Sequence, residues 1–556
     1  MKTPATSQKL RGGYYTPPQL AHFLVDWAIQ SAAARVLEPS CGDGAFLSPI
    51  VQRLLMLKAA PEAIANQITA VEIDKIEATK AAKNVDGLLC DGNNIQISNS
   101  DFFEFCETKL VGQRFDAVVG NPPFIRYQNF PESSREAAFR LMKTSGLHPN
   151  RLTNAWVPFI ATATDLLTEH GRLAMVVPAE LLQVSYASEL RQFLSDRFEK
   201  LTVFTFRHLV FEGIQQEIVL LCGERDGRKP TGIRTIEITD LDELANYEHT
   251  PFESRDLKPM DHSREKWTQY FLTKNQIALV RKARNIPGLR KLADFAEVNV
   301  GVVTGQNDFF VLKKSDADRI GANGYALPLV SRSAHLRGFN FTKADLEDNI
   351  TAQIPTFLLS IPADVPIEKL PASIASYIRE AEANKLHEGY KCRIRTPWYT
   401  VPSISRPDAF MLRQIHERPR IIVNETPATC TDTIHRVRCK AGVDVRRLAA
   451  CAYNSLTFAL AEVMGRSYGG GVLELEPSEA ENLLVPYDIA QNIDIQMLDE
   501  LLRNNMIDKA LDYCDKILLL DGLRLDLKET TEYRSIWSNL CQRRTARKNK
   551  TPKHIK

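Results

Sequence analysis

The segment Val36-Leu-Glu-Pro-Ser-Cys-Gly-Asp-Gly-Ala-Phe-Leu47 constrains the fold of this chain most. An apolar run typical of a buried strand passes directly into a glycine-rich turn, and an apolar helical pattern follows. Gly42 and Gly44 give such a turn the freedom to bring backbone close to a ligand. This order predicts a β-strand, turn and helix in a parallel sheet, with a nucleotide-like cofactor bound at the turn.

From about residue 35 to residue 224, short β-branched runs alternate with longer helical stretches, a pattern typical of an α/β sheet domain. We predict strands at Arg35–Glu38, Ile68–Ile73, Asp116–Gly120, Leu173–Val177, Leu201–Phe206 and Glu217–Cys222. Between them we predict helices at Ala155–Leu167 and Ser188–Phe198. In such a sheet the carboxyl ends of parallel strands meet at one edge, where ligands bind.

Length and composition exclude several other classes. A chain of 556 residues is expected to contain more than one core. Its 70 basic and 68 acidic residues give a net charge of +2, which does not by itself attract a polyanion. No uncharged run reaches the ~20 residues of a membrane span, and no signal-peptide pattern is present, so we expect a cytoplasmic protein. The ten cysteines contain no C-x-x-C pair, and we predict no metal site.

Acidic residues flank the glycine-rich turn. The turn lacks the G-x-G-x-x-G pattern of dinucleotide sites, and Glu38 and Asp43 would repel a pyrophosphate. The same carboxylates suit a cofactor that carries a cationic amino or sulfonium group. S-adenosylmethionine carries both, and we predict it as the cofactor.

Two later segments extend this site. Glu72 ends the next predicted strand, where an acid can accept both hydroxyls of a ribose, although a solvated acid is the commoner case for such a position alone. Asp101 and Phe102 follow a third short strand. There the carboxylate can accept a hydrogen bond from an adenine amino group, and the ring can cover the face of the base.

The strongest motif is Phe115-Asp-Ala-Val-Val-Gly-Asn-Pro-Pro-Phe124, in which an apolar strand ends in Asn-Pro-Pro-aromatic. Two prolines remove two backbone donors and leave a stiff corner. If the Asn121 side-chain oxygen and the Pro122 carbonyl accept the N–H bonds of a base amino group, its lone pair points at the methyl donor. Phe124 would stack on a base turned out of the duplex. For Asn-Pro-Pro alone, a tight turn that caps a strand is the alternative.

In this order the motifs resemble those of the gamma-group DNA amino-methyltransferases of restriction–modification systems. The resemblance covers about the first 225 residues and includes Gly13-Tyr-Tyr-Thr-Pro-Pro18, whose counterpart closes over the methionine end of the cofactor. It implies transfer from S-adenosylmethionine to N6 of adenine. It implies cofactor contacts at Tyr15, Thr16, Pro17, Glu38, Ser40, Cys41, Gly42, Gly44, Glu72, Ile73, Asp101, Phe102 and Asn121. It implies catalytic roles for Asn121, Pro122, Pro123, Phe124 and a second aromatic, Phe211.

The predicted fold class is α/β. We expect a Rossmann-like class I methyltransferase domain, with a mixed seven-stranded sheet and helices on both faces, over residues 1–240. A connecting segment (241–296) precedes an α+β target-recognition domain (297–490) and C-terminal helices (491–542). Residues 543–556 hold seven Lys or Arg and no acid, and we predict a disordered basic tail.

A basic window in the second domain predicts contact with double-stranded DNA. Residues 391–440 contain ten Lys or Arg against four acids, together with Trp398 and Tyr399. Patterns similar to Val300–Asn307 and Gly389–Tyr399 occur in target-recognition domains. We predict DNA contacts at Lys391, Arg393, Arg395, Arg418 and Arg420.

Several rival functions stay open or are disfavoured. Methylation of cytosine N4 uses the same chemistry but usually has Ser in place of Asn121, and a non-catalytic DNA-specificity subunit with a relic methyltransferase domain is the alternative from another class. Protein-glutamine methyltransferases share Asn-Pro-Pro but typically lack a large C-terminal domain. Methylation of cytosine C5 needs a thiol next to proline, and no cysteine here follows a proline. We expect a stand-alone methyltransferase, with any cognate restriction endonuclease encoded separately.

Overall fold

The computed structural model describes residues 15–89, 94–208, 210–211, 217–225, 227, 231–247, 257–263, 265–468 and 470–546. Gly13, Tyr14 and residues 547–556 of the predicted tail lie outside these ranges. The chain divides into two compact units, one comprising Met1–Phe271 with Ala546–Lys556 and the other Leu272–Thr545. The division lies inside the segment that we predicted as a connector.

The first unit is built on an eight-stranded sheet with the order β3-β2-β1-β4-β5-β7-β6-β8. Its strands are β1 (Val36–Glu38), β2 (Ile68–Glu72), β3 (Ile97–Asn99), β4 (Phe115–Gly120), β5 (Leu167–Pro178), β6 (Lys200–Phe206), β7 (Ile218–Glu224) and β8 (Gly232–Ile238). Strands β1 to β5 pair in parallel, whereas β7 runs antiparallel to both β5 and β6. The strand order reverses between β1 and β4, and this is the point where an open α/β sheet forms a ligand crevice.

Helices connect these strands. They are α1 (Pro18–Ala28), α2 (Leu47–Met56), α3 (Pro61–Gln67), α4 (Lys75–Val85), α5 (Phe102–Thr108), α6 (Glu132–Thr144), α7 (Trp156–Asp165), α8 (Ser188–Arg197) and α9 (Leu241–Ala245). Buried apolar residues of α1, including Phe23 and Trp27, join sheet residues such as Phe204 and Leu220 in one core cluster. The predicted α/β class is confirmed.

Two details of the sheet differ from the prediction. The sheet has eight strands and not seven, because Gly232–Ile238 forms an edge strand that pairs in parallel with β6. The predicted helix Ala155–Leu167 ends at Asp165, since Leu167 already begins β5, which is much longer than the predicted Leu173–Val177. The polar residues Thr168, Glu169 and His170 masked the start of this strand.

The second unit contains several smaller sheets. A five-stranded sheet has the order β10-β19-β15-β17-β13, a four-stranded sheet β11-β14-β12-β18, a three-stranded sheet β16-β21-β20, and a two-stranded sheet pairs β22 with β9. The strands are β9 (Arg290–Lys291), β10 (Ala296–Val300), β11 (Val311–Leu312), β12 (Ala326–Val330), β13 (Asn340–Phe341), β14 (Phe357–Leu359), β15 (Ala409–Leu412), β16 (Gln414–Ile415), β17 (Ile421–Asn424), β18 (Thr429–Cys430), β19 (Ile434–Cys439), β20 (Arg466–Tyr468), β21 (Val472–Glu474) and β22 (Leu484–Val485).

The helices of this unit are α10 (Lys274–Ala283), α11 (Asn307–Phe310), α12 (Lys314–Arg319), α13 (Lys343–Thr351), α14 (Ala372–Ala383), α15 (Tyr390–Arg393), α16 (Val445–Cys451), α17 (Ser455–Met464), α18 (Pro477–Glu481), α19 (Ile495–Arg503), α20 (Ile507–Asp515) and α21 (Leu527–Ala546), with a π-helix at Lys516–Gly522. Within the described part of the chain, none of the helices combines the length and apolar character needed to cross a bilayer.

The predicted start of the tail at Arg543 is wrong, because α21 continues to Ala546. The cause is Arg544, whose buried guanidinium donates to both carboxylate oxygens of Glu462 and to the carbonyl oxygen of Gly471. In sequence this arginine belongs to a basic run, and nothing local in the sequence distinguishes it from the other basic residues of that run.

Candidate active site

A cavity of about 650 Å³ lies at the carboxyl edge of the first sheet. Its wall is formed by residues that follow β1, β2, β3 and β4, which are the four strands around the reversal of strand order. Ten of the thirteen predicted cofactor contacts line it: Tyr15, Thr16, Ser40, Cys41, Gly42, Glu72, Ile73, Asp101, Phe102 and Asn121. Pro17, Glu38 and Gly44 lie outside the lining.

The glycine-rich turn takes a shape that only glycine adopts easily. Gly42 and Gly44 have φ angles of +54° and +92°, both in the left-handed region. A Cβ on Gly44 would lie 3.1 Å from the Cα of Ala81, so α4 packs closely on the turn. The Asn84 amide on the same helix donates to the Asp43 carbonyl at 2.8 Å. The turn is therefore fixed by the helix that follows β2.

Glu38 ends β1 as a fully buried carboxylate. Neither of its oxygens has a partner within ordinary hydrogen-bond geometry among the described residues. Burial, followed by the charge of Glu72, raises its pKa well above the usual range, while the Ser40 amide acts in the opposite direction. A Cβ on Gly120, the last residue of β4, would lie 2.5 Å from Oε1 of Glu38, so a larger residue at this position would displace the Glu38 carboxylate. The site thus holds a buried acid whose desolvation the nearby Ser40 amide offsets only in part.

Glu72 joins the ends of the first two strands. Its Oε2 accepts from the Gly42 amide and its Oε1 from the Asp74 amide, both at 2.8 Å. Burial raises the pKa of Glu72, and these two amides partly oppose the shift. The carboxylate is therefore held in place by backbone, and each oxygen keeps further acceptor capacity toward the cavity.

Asp101 and Phe102 open α5 beside the cavity. The Oδ1 atom of Asp101 accepts from the amides of Phe103 and Glu104 at 2.9 and 3.1 Å, as an N-cap does. Phe102 is buried and stacks on Phe159, with ring centroids 5.2 Å apart. The capping bond fixes the orientation of the carboxylate that we predicted to contact a base.

The Asn-Pro-Pro corner joins the glycine-rich turn directly. The side-chain Nδ2 of Asn121 donates to the Thr16 hydroxyl at 3.2 Å, and the Ser40 hydroxyl donates to the backbone carbonyl of Asn121 at 3.4 Å. Pro122 is buried, and Pro123 lines the cavity. Three sequence-distant motifs therefore meet within hydrogen-bonding distance.

The two predicted base-stacking rings do not line the cavity. Phe124 is half-buried and packs against the core cluster of the unit, and Phe211 is a buried member of that cluster. Leu209 and residues 212–216, which flank Phe211, lie outside the described residues.

Sequence reasoning missed a network behind the Asn-Pro-Pro corner. Asn154 accepts from the Tyr127 amide at 3.0 Å and donates to the Tyr186 hydroxyl at 2.9 Å, and that hydroxyl donates to the carboxylate of Glu180. Burial raises the pKa of Tyr186 far above its usual range, so the hydroxyl stays protonated. The network holds the segment after Phe124, which contributes Ile125 to the cavity. Its members are isolated in sequence, and no local pattern marks them.

Lys80 is a second omission. It is the only cationic side chain among the described residues that line the cavity, and it pairs with Glu77 at 2.8 Å. Its ammonium also donates to the Tyr15 hydroxyl at 3.4 Å. Five carboxylates share the lining with it, from Asp43, Glu72, Asp74, Glu77 and Asp101. The cavity is therefore strongly negative.

The five predicted DNA contacts of the second unit separate into two groups. Lys391 and Arg393 on α15 are exposed and make no ion pair with any described residue. Arg395 donates to the carbonyls of Val303 and Thr304 at 2.6 and 2.7 Å. The guanidinium of Arg395 therefore makes its hydrogen bonds within the protein.

Arg418 and Arg420 also have internal contacts. Arg420 donates to the carbonyls of Leu336 and Gly338 at 2.8 and 3.0 Å, and burial lowers its pKa to about 10. Arg418, which pairs with Glu417, has a side chain that is only 13% exposed. Like Arg395, these two arginines make contacts within the protein, and their roles as DNA contacts stay predictions.

Two family models match the chain in succession. The Eco57I restriction-modification methylase model matches residues 47–211, and the model of the C-terminal domain of the Type II methyltransferase M.Eco57I matches residues 264–519. Together the two matches support a gamma-class DNA methyltransferase of a restriction–modification system. The first match contains the Asn-Pro-Pro corner, and the second covers most of the second unit, including α15.

The similarity to two Type II methyltransferases extends over most of the chain. It is 23% identical over 530 residues to the Type II methyltransferase M.AccI of Acinetobacter calcoaceticus, which covers 92% of this chain and 90% of the relative. It is 24% identical to M.XamI of Xanthomonas campestris pv. amaranthicola, with 85% of each chain covered. The fold is similar to that of the Type IIL restriction-modification enzyme MmeI, solved with DNA, at a TM-score of 0.57 and 12% identity, over 95% of this chain and 75% of that chain.

Proposed function

We propose that this chain transfers a methyl group from S-adenosylmethionine to N6 of adenine in duplex DNA, at a specific site and with the base turned out of the helix. The observation that carries the proposal is the meeting of Asn121, Thr16 and Ser40 at one cavity. The amide oxygen of Asn121 and the carbonyl of the proline corner can accept hydrogen bonds from the amino group of a base. The adjoining glycine-rich turn can bind the methyl donor.

The charge of the cavity supports S-adenosylmethionine over a phosphate-bearing cofactor. Five carboxylates and one ammonium line it, and burial raises the pKa of both Asp43 and Glu72. A ligand with a cationic amino group reduces the repulsion among these carboxylates, whereas a pyrophosphate would add further negative charge. When bound, S-adenosylmethionine supplies a methyl group on a positively charged sulfur.

In this proposal, different residues of the cavity contact different parts of the cofactor. Glu38 and Asp43, at the glycine-rich turn, would supply negative charge for the cationic end, and Glu72 would accept from ribose hydroxyls. Asp101 and Phe102 hold the adenine moiety. Tyr15, Thr16 and Pro17 cover the methionine end, as the family resemblance implies.

Asn121 and Pro122 act on the target amino group. The Asn121 Nδ2 atom is committed to Thr16, so the bond identifies Oδ1 as the acceptor end of the amide. Acceptance of the two amino hydrogens by Oδ1 and by the Pro122 carbonyl increases electron density on a nitrogen whose lone pair is otherwise delocalised into the base. The same two oxygens stabilise the positive charge that develops as the N–C bond forms.

The asparagine at position 121 also favours adenine over cytosine as the target. In the family that the motifs resemble, enzymes that methylate cytosine N4 usually carry Ser in place of Asn121. Phe124, which is half-buried, stacks on the target base in this proposal. Phe211 is 6% exposed and packs in the core, which argues against a direct stacking role.

The DNA surface is proposed to include α15. Lys391 and Arg393 supply charge for phosphate contacts. Beside them, Tyr390 and Ile394 are 65% and 59% exposed, although both are large and apolar. Exposed apolar side chains flanked by cations match the mixed chemistry of a DNA duplex, which combines phosphates with apolar base and sugar surfaces.

The test is direct identification of the methylated base. Purified protein, duplex DNA of random sequence and isotope-labelled S-adenosylmethionine are incubated, and the digested nucleosides are separated by mass spectrometry. We expect label in N6-methyladenine. We expect Asn121→Ala to abolish transfer while DNA affinity changes little, and Asn94→Ala, an exposed control, to retain it. Label in N4-methylcytosine alone would contradict the choice of base, and absence of label in any nucleoside would contradict the function.

A further inference from the structure

The second unit contains a cleft of about 210 Å³ that the proposed chemistry does not use. Its polar lining comprises Asn299 on β10, Ser403 and Ser405 on the segment that precedes β15, and Arg436 and Arg438 on β19. β10 and β19 are antiparallel neighbours, and Asn299 lies directly opposite Arg436. No carboxylate belongs to the lining that the structure describes.

Arg436 forms the fixed part of this cleft. Its Nε and Nη2 atoms donate to the Val300 carbonyl at 3.2 and 3.0 Å, and Nη1 donates to the Ser405 hydroxyl at 3.0 Å and to the Ser403 carbonyl. All these acceptors are neutral. The guanidinium is therefore held in one orientation, while no carboxylate among the described residues neutralises its charge.

Arg438 forms the adaptable part. It lies two residues further along β19, so both arginines project from the same face of the strand. Its side chain is exposed and has no hydrogen bond or ion pair with any described residue. The acid nearest in register is Glu297, directly opposite Arg438 on β10, and the two form no ion pair within 4 Å. An unpaired guanidinium thus lies beside a fixed one.

We propose that this cleft binds a phosphate of the DNA backbone. The inference rests on the proposed DNA-methyltransferase function and assigns part of the DNA surface. Two guanidinium groups, two serine hydroxyls and an asparagine amide are the donors that phosphodiester oxygens accept most readily. The segment from Val300 to Thr304 contacts both the cleft and the residues just after α15, because its Val300 carbonyl accepts from Arg436 and its Val303 and Thr304 carbonyls accept from Arg395.

Arg438→Gln tests the assignment, since Arg438 is exposed and supports no other residue. Equilibrium binding of a duplex containing the methylated sequence is measured by fluorescence anisotropy over a series of salt concentrations. We expect affinity to fall about 3- to 10-fold at low salt, on cognate and non-cognate duplexes alike, and the slope of log affinity against log salt to become shallower by about 1. Arg379→Gln, an exposed arginine on α14 outside the cleft, is the charge-matched control and should leave the slope unchanged.

The outcomes separate this inference from the function itself. Saturating DNA should restore the turnover number of Arg438→Gln to that of the wild type, because the cleft binds DNA and does not take part in chemistry. A wild-type salt slope in Arg438→Gln, with methylation intact, would overturn the inference and leave the function standing. Loss of affinity equal to that of Arg379→Gln would overturn it as well, as would an Arg438-dependent thermal shift with inorganic phosphate but no change in DNA binding. Absence of methylation by the wild type would instead count against the function.

Discussion

The side-chain amide of Asn121 donates to the hydroxyl of Thr16, 105 residues earlier in the chain, at 3.2 Å. This bond sets the orientation of the amide that faces the target in the proposed mechanism. Thr16→Val removes the acceptor and keeps the shape. Loss of one neutral hydrogen bond, about 1 kcal/mol, predicts a turnover number lower by about fivefold with a nearly unchanged cofactor Kd.

Thr16→Ser retains the hydroxyl and serves as the control for this prediction. Single-turnover methylation measures the chemical step, and isothermal titration with S-adenosylmethionine measures the Kd. Equal turnover in Thr16→Val and wild type would show that the Asn121 amide is oriented by other contacts.

The buried carboxyl group of Glu38 leads to a prediction about how stability depends on pH. Burial raises its pKa, so the folded protein holds the proton more tightly than the unfolded chain does. The stabilising contribution of this group is full at pH below its unfolded pKa of ~4.3 and is lost as pH rises through the raised folded value. Glu38→Gln is a neutral isostere that does not titrate. We expect the variant without cofactor to be more stable than wild type at pH 8, with the difference shrinking or reversing toward pH 5.

Thermal unfolding of both proteins between pH 5 and pH 8.5 checks this sign, and the difference between the two curves isolates Glu38 from other titrating groups. S-adenosylmethionine should stabilise the wild type more than the variant, because the variant lacks the negative charge. A variant that is less stable than wild type throughout the pH range would show that Glu38 has a compensating partner.

Gly44 and Gly42 offer a matched pair of backbone substitutions. Both have positive φ, but a Cβ on Gly44 would meet Ala81 at 3.1 Å, whereas nothing lies within 4 Å of a Cβ on Gly42. Gly42→Ala should cost about 1 kcal/mol from the left-handed conformation alone, and Gly44→Ala should cost more, about 2–3 kcal/mol, because α4 must also shift. Urea denaturation followed by circular dichroism measures both, and an equal cost would contradict the close packing of α4 on the turn.

Much of this site can be predicted from the order of its motifs along the sequence. The glycine-rich turn and Asn121 follow apolar strands, Glu72 ends β2 and Asp101 follows the short strand β3, and parallel strands bring their carboxyl ends to one edge. Local sequence therefore suffices to predict that these residues line one cavity. It also suffices for most strands of the first sheet, although β8 was missed because its alternating residues follow a charged segment that is typical of a turn.

The contacts of the arginines in the basic window could not be predicted from the sequence. Arg395, Arg420 and Arg436 all lie in the basic window, yet each donates to carbonyls of segments far away in sequence, such as Val303, Leu336 and Val300. Composition reports only that positive charge is present. Whether an arginine contacts solvent or backbone depends on the tertiary fold, and the same holds for the buried ring of Phe211.

Tyr186→Phe tests the network behind the Asn-Pro-Pro corner. The change removes the hydroxyl that links Asn154 to Glu180, and with it the support of the segment that begins at Ile125. As Tyr186 is a positioning residue, we expect the turnover number to fall several-fold, within about 1–2 kcal/mol, with a cofactor Kd unchanged within about twofold.

Tyr377→Phe is the matched control, because it loses a single bond from a tyrosine hydroxyl to the Phe309 carbonyl in the second unit. It should lower stability somewhat, by the loss of that one bond, without affecting turnover. If both variants lost turnover equally, the effect of Tyr186→Phe would be a general loss of stability and not a matter of positioning.

The last prediction separates basic residues that bind DNA from those that support the fold. Arg420→Ala leaves the carbonyls of Leu336 and Gly338 without their buried donor, and we expect the second unit to lose about 2–4 kcal/mol of unfolding free energy. Lys391→Ala combined with Arg393→Ala removes only exposed side chains and should change stability by less than about 0.5 kcal/mol per site. The double variant should instead bind duplex DNA more weakly, with a salt dependence shallower by about 1 to 2 in slope. Urea denaturation and anisotropy titrations on the same preparations check both. If Arg420→Ala kept full stability and lost DNA affinity, the arginine would be a DNA contact after all, as its place in the basic window first indicated.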